Sequence, residues 1–215
     1  MSVEKRTALV VGATGLVGLL TVDELLASEK YSKVKVLVRK PFPKQHAKLE
    51  AILFDFDQPD AALIQADDVY CCLGTTMKKA GSKAAFYQVD YTYPHEIAQM
   101  SLTNGAKRFA IVTAMGADKN SSIYYNRVKG EIETSLRDLG FETLLIFRPS
   151  LLLGNRPEKR MGEQIGEAVM KFFSPLIPQK YRAIEASKIA RAMVLITSSG
   201  VKGNVVYESD VLQEF

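Results

Sequence analysis

Residues 7–18 read TALVVGATGLVG, and this stretch decides the fold. Its first five residues are an apolar run typical of a buried strand, and a helical pattern follows from Leu16 to Ser28. Glycines 12, 15 and 18 mark the turn between them, where backbone amides and a helix N-terminus can approach a pyrophosphate without a Cβ in the way. The stretch therefore predicts a dinucleotide site. A turn that binds no ligand is the alternative, which the position of the motif after the first strand disfavours.

The alternation of apolar runs and helical patterns continues along the chain and predicts an α/β fold. Runs that are apolar on both faces suit a parallel sheet covered by helices, and right-handed crossovers make a doubly wound sheet the simplest topology. The predicted strands are Thr7–Val11, Lys33–Val38, Ala51–Phe54, Asp68–Leu73, Arg108–Thr113, Thr143–Phe147 and Val205–Tyr207, and the predicted helices are Leu16–Ser28, Pro94–Asn104, Ser122–Leu139, Glu163–Phe172 and Ala186–Thr197. We expect residues 1–215 to form one domain, in which residues 149–215 are a small appended segment that lines or caps the substrate site.

Composition and charge exclude several classes of protein. With 47% hydrophobic and 24% charged residues in a chain of 215, the usage is that of a globular domain. The net charge of +4 is spread without a dense basic block, so nucleic acid is not an expected partner. No apolar run approaches the ~20 residues of a membrane span, and the amino terminus lacks a signal sequence, so we expect a cytoplasmic protein. His46 and His95 are too few to suggest a metal site.

The residues after the second predicted strand, Arg39 and Lys40, indicate which dinucleotide binds. NAD sites usually place an Asp or Glu there, whereas a guanidinium can hold a 2′-phosphate with paired hydrogen bonds. The pair therefore predicts NADP(H) in preference to NAD(H). The alternative is a solvated basic loop that continues through Lys44 and Lys48.

Tyr125 and Lys129 are one helical turn apart in the pattern from Ser122 to Leu139, so their side chains share a face. A phenol is a weak acid at neutral pH, and a neighbouring ammonium lowers its pKa toward the working range. The spacing therefore suits a proton donor with a supporting lysine. An amphipathic helix with an exposed lysine is the alternative, and Tyr124 is a neighbour that we rank below Tyr125.

The motifs together resemble a known superfamily. GATGLVG at 12–18, Tyr125-x-x-x-Lys129 and Arg148-Pro149-Ser150 are similar to the extended or atypical short-chain dehydrogenases/reductases. Within that superfamily the chain resembles the Tat-interacting oxidoreductase branch and its bacterial relatives, through CCLGTT at 71–76, KAG at 79–81, FYQVD at 86–90, MGADK at 115–119, VKGE at 128–131 and RPSLL at 148–152. The resemblance implies a Rossmann-like fold that binds NADP(H), with an oxidoreductase site at the carboxyl ends of the strands.

The resemblance also assigns roles to individual residues. It implies a catalytic pair of Tyr125 and Lys129, with Thr113 as the hydroxyl that orients a carbonyl; a second alignment places Ala114 at that position. Asp90 stands where many relatives carry an asparagine. The implied cofactor-binding residues are Gly12, Thr14, Gly15, Leu16, Val17 and Gly18 in the phosphate loop, Arg39 and Lys40 at the 2′-phosphate, Asp55 and Phe56 at the adenine, Leu73, Gly74 and Thr75 below the ribose, Tyr125 and Lys129, and Arg148, Pro149 and Ser150 at the nicotinamide.

We therefore expect an NADP(H)-dependent oxidoreductase that acts on a small carbonyl or alcohol. An NADP(H)-sensing protein that binds a protein partner without catalysis is the alternative, and a sugar-nucleotide epimerase ranks lower because few residues follow Ser150. The sequence leaves open the substrate, the direction of reaction and a homodimer. The apolar tail residues Phe172, Phe173, Leu176 and Ile177 could close the pocket or form a dimer surface.

Overall fold

The computed structural model describes residues 5–154 and 178–215, and in them seven parallel strands form the main sheet. The strands of the main sheet are β1 (Arg6–Val11), β2 (Tyr31–Val38), β3 (Leu49–Leu53), β4 (Asp68–Cys71), β5 (Arg108–Val112), β6 (Thr143–Arg148) and β9 (Gly203–Glu208). They lie in the order β3-β2-β1-β4-β5-β6-β9, and every neighbouring pair is parallel. The strand order reverses between β1 and β4, so the predicted doubly wound, Rossmann-like sheet is confirmed.

Helices cover both faces of this sheet. They are α1 (Leu16–Ala27), α2 (Met77–Ala80), α3 (Lys83–Tyr87), α4 (Tyr93–Thr103), α5 (Tyr124–Leu139), α6 (Ala186–Thr197) and α7 (Ser209–Leu212). One core lies between the sheet and helices α1 and α6, and a second lies between the sheet and helices α4 and α5. Leu9 and Val10 of β1 belong to opposite cores and are both fully buried, which explains why the strands read as continuous apolar runs.

The predicted strands are all present, with ends that differ by one or two residues. β4 ends at Cys71 and β5 at Val112, so Leu73 and Thr113 lie in the loops that follow and not at strand ends as predicted. The sequence patterns missed α2 and α3, because four or five residues are too few to show a repeated pattern of apolar positions. The predicted helix Glu163–Phe172 and the four apolar tail residues lie outside the described residues.

The carboxyl-terminal residues 178–215 are part of the main sheet and its core, and not only an appended segment. β9 pairs with β6 and extends the main sheet, and α6 packs beside α1 with Ile189 and Met193 fully buried. β7 (Leu152–Leu153) and β8 (Ile184–Glu185) form a separate two-stranded sheet. Among the helices that the structure describes, none combines the length and apolarity that a bilayer span needs.

A buried carboxylate joins four strands at the amino end of the sheet, opposite the glycine turn. Asp68 at the start of β4 is fully buried, and it accepts a hydrogen bond of 2.6 Å from the Tyr31 hydroxyl of β2. It also forms ion pairs with Arg6 of β1, at 3.0 Å, and with Arg108 of β5. Because both arginines are partly exposed, this end of the sheet stays in contact with water on one side.

We expect Asp68→Asn to lower the free energy of unfolding by about 2–4 kcal/mol, because the change leaves two guanidinium groups without their counter-charge. Urea unfolding measures the loss. Glu50→Gln is the control, since it breaks only the exposed pair between Glu50 and Lys33 and should leave stability nearly unchanged. Equal, small effects of the two substitutions would contradict a stabilising role for the Asp68 cluster.

Candidate functional site

The glycine turn is held by close backbone contacts. Gly12 has a φ of +77°, and its carbonyl accepts a hydrogen bond of 2.9 Å from the Gly15 amide. A Cβ at Gly12 would lie 2.5 Å from the carbonyl carbon and oxygen of Cys72, and a Cβ at Gly18 would lie 2.1 Å from the carbonyl oxygen of Gly12. These two positions therefore accept no side chain, because the turn packs against the loop after β4 and α1 packs against the turn.

The exposed part of this turn presents backbone amides. Thr14 and Gly15 are exposed, Leu16 is half-buried, and Val17 and Gly18 are buried beneath them. Gly15 is the N-cap of α1, and no side chain caps that helix. The first amides of α1 are thus open to an anionic ligand.

The residues predicted for the adenosine end lie at the carboxyl ends of β2 and β3. Arg39 and Lys40 directly follow β2 and are exposed, and no described residue holds either side chain in a hydrogen bond or ion pair. The Phe54 amide donates a hydrogen bond of 2.9 Å to Val38, which brings the chain after β3 beside the end of β2. Asp55 in that chain is exposed.

Phe56 has a different environment from Asp55. Its ring is buried between Phe54 and Tyr93, with ring centroids 5.0 and 5.4 Å away. The Tyr93 hydroxyl donates to Asp57 at 2.5 Å, and the positive charge of Arg39 acts on the same hydroxyl. Phe56 therefore shapes this end of the site through packing, while Arg39 and Asp55 present charge at its surface.

The loop after β4 connects the glycine turn to Lys129. A Cβ at Gly12 would touch Cys72, and two residues later a Cβ at Gly74 would lie 3.7 Å from the Lys129 ammonium nitrogen. Lys129 is 4% exposed, and its Nζ forms an ion pair of 2.7 Å with Oδ1 of Asp90. The other carboxylate oxygen of Asp90 accepts a hydrogen bond of 2.9 Å from the Thr75 amide. Residues 72–75 therefore lie between the turn and the lysine.

Burial and charge act in opposite directions on Lys129. Burial lowers its pKa, but the carboxylate of Asp90 and then the phenol of Tyr125 raise it by more, so that the pKa of Lys129 lies above its ordinary value. Lys129 is consequently a buried ammonium at neutral pH.

Tyr125 and Tyr124 are adjacent in sequence but differ in their contacts. Tyr125 is half-buried, with its ring 5.5 Å from that of Phe86, and its phenol lies close enough to Lys129 to act on its charge. The Tyr124 hydroxyl instead donates to the Lys83 carbonyl at 3.0 Å. The cationic groups of Lys83 and Arg127 each lie 5.3 Å from the Tyr124 ring. Both tyrosine rings contact Phe86, but the Tyr124 hydroxyl is held by the Lys83 carbonyl.

Thr113 takes part in a buried charge network behind the site. Its hydroxyl donates to Oε1 of Glu133 at 2.7 Å, and Glu133 is fully buried. Arg148 binds the same carboxylate with two hydrogen bonds, of 2.9 and 2.5 Å, and reaches Glu208 at 3.1 Å. The hydrogen bonds that Arg148 donates to Glu133 raise the pKa of Arg148. The hydroxyl proton of Thr113 and the guanidinium of Arg148 are therefore both engaged within the protein.

Pro149 and Ser150 tie the end of β6 to its neighbours. The Pro149 carbonyl accepts a hydrogen bond of 2.9 Å from the Met115 amide in the loop after β5. The Ser150 hydroxyl donates to the Arg182 carbonyl and accepts a hydrogen bond of 2.9 Å from the Ser209 hydroxyl. These contacts join the carboxyl ends of β5 and β6 to the start of α7.

The structure thus places the predicted site residues along one edge of the sheet, but it gives them different surroundings. The glycine turn, Arg39, Lys40 and Gly74 reach the surface, whereas Thr113 and Arg148 face internal partners. The sequence reasoning missed Glu133. Its signal was available, because Tyr125, Lys129 and Glu133 are spaced by four residues and so share one face of α5.

Comparisons with known proteins find a matching family model and several similar proteins. A family model described as NAD(P)H-binding matches residues 12–194. The chain is 34% identical over 200 residues to Protein HTATIP2 of Rattus norvegicus, a match that covers 89% of this chain and 81% of that protein. It is 32% identical over 216 residues to Protein FMP52, mitochondrial, of Eremothecium gossypii, covering 95% of both chains.

Solved structures share the fold at low sequence identity. MoeE5 in complex with UDP-glucuronic acid and NAD superposes with a TM-score of 0.74 at 16% identity, covering 94% of this chain and 76% of that one. A UDP-N-acetylglucosamine 4-epimerase from Methanobrevibacter ruminantium superposes with a TM-score of 0.71 at 17% identity, covering 95% and 76%. At these identities the likeness supports the fold alone.

The relatives correct the prediction of a cytoplasmic protein. FMP52 proteins of Eremothecium gossypii, Candida glabrata, Aspergillus clavatus and Candida albicans are all named mitochondrial, so that prediction is wrong. It rested on the lack of an apolar signal sequence and of a membrane span. Neither observation separates the cytoplasm from an organelle, because mitochondrial leaders are amphipathic and not apolar.

We expect Gly18→Ala to lower the free energy of unfolding by about 1–3 kcal/mol, because its Cβ would overlap the Gly12 carbonyl and force α1 away from the turn. Gly74→Ala is the matched control, since its Cβ would meet neighbouring atoms only at 3.5 Å or more. Urea unfolding of both variants tests the contrast. If Gly18→Ala were as stable as Gly74→Ala, the close packing of the turn would be wrong.

Proposed function

The chain belongs to the NAD(P)H-binding family, in the group that includes HTATIP2 and FMP52, and from this premise we propose that it is an NADP(H)-dependent oxidoreductase acting on a small carbonyl or alcohol. The membership confirms the resemblance to the Tat-interacting branch of the short-chain dehydrogenases/reductases. The observation that carries the proposal is the pairing of Tyr125 with the buried ammonium of Lys129 beside the loop that contacts the glycine turn.

The residues present fit NADP(H). A Cβ at Gly12 or Gly18 would clash with backbone, and the uncapped N-terminus of α1 follows that turn, so the turn suits a pyrophosphate. Arg39 and Lys40 are exposed at the end of β2, where a 2′-phosphate would need positive charge. Thr14, Leu16 and Val17 complete the proposed phosphate loop, Asp55 and Phe56 its adenine edge, and Leu73, Gly74 and Thr75 the surface below the ribose.

The proposed chemistry divides between cofactor and protein. NADPH, when bound, supplies the hydride. In the reducing direction Tyr125 donates a proton to the carbonyl oxygen. Lys129 binds the ribose and donates a hydrogen bond to the phenolate that Tyr125 leaves, a contact that stays available while Asp90 balances its charge. Arg148, Pro149 and Ser150 hold the loops that border the nicotinamide.

We assign Thr113 a different role from the carbonyl-orienting one that the family resemblance implies. Its hydroxyl proton goes to Glu133, so Thr113 can only accept a hydrogen bond from a ligand and cannot donate one to a carbonyl. The alternative position holds Ala114, which has no hydroxyl. We therefore assign proton donation to Tyr125 alone.

The same observation favours a second candidate function, in which the protein senses NADP(H) and changes its affinity for a protein partner. A site without a donating hydroxyl beside Tyr125 retains every feature that binds the cofactor and loses one that polarises a carbonyl. Binding of NADPH without turnover of any carbonyl, together with a partner whose affinity depends on NADPH, would favour this function over the oxidoreductase.

We expect Tyr125→Phe to lower kcat at least about 100-fold, because it removes the proton donor, while NADPH affinity stays nearly unchanged. Turnover of a carbonyl panel and fluorescence titration with NADPH measure the two quantities. Tyr124→Phe is the matched control, since the hydroxyl it removes is bonded to the Lys83 carbonyl and should leave kcat almost intact. Full turnover by Tyr125→Phe would refute the assigned acid.

We expect the double variant Arg39→Ala/Lys40→Ala to bind NADPH about 10- to 100-fold more weakly and NADH unchanged, because the two side chains would contact only the 2′-phosphate. Parallel fluorescence titrations with NADPH and NADH measure this. Lys33→Ala/Lys35→Ala removes the same charge from within β2, before the carboxyl end that Arg39 and Lys40 follow, and should change neither affinity. A wild-type preference for NADH would contradict the assignment of these residues.

A further inference from the structure

Asp90 reaches Lys129 from an unusual turn of backbone. The helical segment from Lys83 to Thr103 is continuous, but its middle, Gln88–Thr92, is a π-helix. Such turns are rare, and they often occur where a helix carries a functional side chain. Here the π-helical turn holds Asp90, which is 1% exposed.

Both oxygens of the Asp90 carboxylate have partners in the described residues, one in the loop after β4 and one on α5. Oδ2 accepts the Thr75 amide at 2.9 Å, while Oδ1 forms the 2.7 Å ion pair with Lys129. Among the described residues, no group other than the Lys129 ammonium pairs with Oδ1. A Cβ at Gly74 would lie 3.5 Å from Oδ1 and 3.7 Å from Lys129 Nζ, so the exposed Gly74 lies directly beside the buried pair.

The pair has no net charge. The titratable groups that act on Lys129 are Asp90 from the π-helical turn, Tyr125 from α5 and Cys71 at the end of β4. Burial raises the pKa of the Cys71 thiol to about 12, so that group is neutral at working pH. Asp90 is therefore the counter-charge of Lys129. An asparagine in its place would leave a buried ammonium whose full charge acts on its surroundings.

We propose that Asp90 is a positioning residue that cancels the charge of Lys129, and that it thereby prevents the site from rejecting the oxidised cofactor. The inference rests on the proposed function. Its reason is electrostatic: the oxidised nicotinamide ring carries a positive charge and the reduced ring carries none. An uncompensated Lys129 repels only the oxidised form, whereas a neutral pair distinguishes the two forms far less.

The test measures the ratio of the dissociation constants of NADP⁺ and NADPH. We expect Asp90→Asn to raise this ratio about tenfold near pH 6.5 relative to the wild type, because one unit of nearby positive charge is uncovered. The ratio of the variant should fall toward the wild-type value at higher pH, as the unpaired and buried Lys129 loses its proton. The wild-type ratio should be flat over the same range, since the ion pair keeps Lys129 charged and compensated.

Two further variants separate this role from a structural one. Asp90→Asn/Lys129→Met again has no charge at the pair, so its ratio should return to the wild-type value even if both affinities fall. Asp138→Asn removes an exposed carboxylate from α5 and should leave the ratio unchanged. Thermal melts confirm that each variant is folded at the titration temperature.

The outcomes are distinct. Equal weakening of NADP⁺ and NADPH by Asp90→Asn, at every pH, would overturn the inference and leave Asp90 a purely structural residue. A raised ratio that persists in Asp90→Asn/Lys129→Met would overturn it as well, because the effect would not pass through Lys129. Failure of the wild-type protein to bind either nucleotide would instead refute the proposed function.

Discussion

The backbone of Cys72 passes so close to Gly12 that the two loops form one surface, and the rest of the site depends on this contact. A single Cβ at Gly12 would lie 2.5 Å from the Cys72 carbonyl. The contact lies at the point where the strand order reverses, so it fixes the loop after β1 against the loop after β4. Two residues further on, Gly74 borders Lys129. The glycine turn and the proposed catalytic pair are therefore held by the same short stretch of backbone.

Two buried carboxylates divide the work on the inner face of α5. Asp90 on the π-helical turn pairs with Lys129. Glu133 on α5 itself pairs with Arg148 and accepts a hydrogen bond from the Thr113 hydroxyl. Each carboxylate is paired with at least one cation, Asp90 with Lys129 and Glu133 with both Arg148 and Arg137, because an unpaired charge in either place would cost several kcal/mol. This division leaves the Tyr125 phenol, which no described residue holds in a hydrogen bond of its own, next to a lysine whose charge is already balanced.

The sequence predicted the sheet well because the relevant signals are local. Each strand is an apolar run, and the spacing of the glycines marks the turn after the first strand. Tyr125 and Lys129 were predictable for the same reason, since one helical turn joins them. The partner of Lys129 was not, because Asp90 lies 39 residues away and reaches the lysine only through a π-helical turn, which has no period in sequence. The same is true of Thr113 and Arg148, whose positions matched the family while their side chains turned to Glu133, a residue named by neither motif.

The choice between oxidoreductase and sensor reduces to how the site treats its two nucleotide states. An enzyme must release the oxidised or reduced cofactor that it produces. A neutral Asp90–Lys129 pair, which would bind both redox forms of the cofactor with similar affinity, would therefore favour turnover. A sensor that responds to the redox state of the cofactor, and not to occupancy alone, must distinguish the forms, and an uncompensated ammonium would provide that distinction directly. The structure contains the compensated pair. Under the proposed function, the carboxylate of Asp90 would favour turnover through this charge balance and would offset the argument for sensing that comes from the engaged hydroxyl of Thr113.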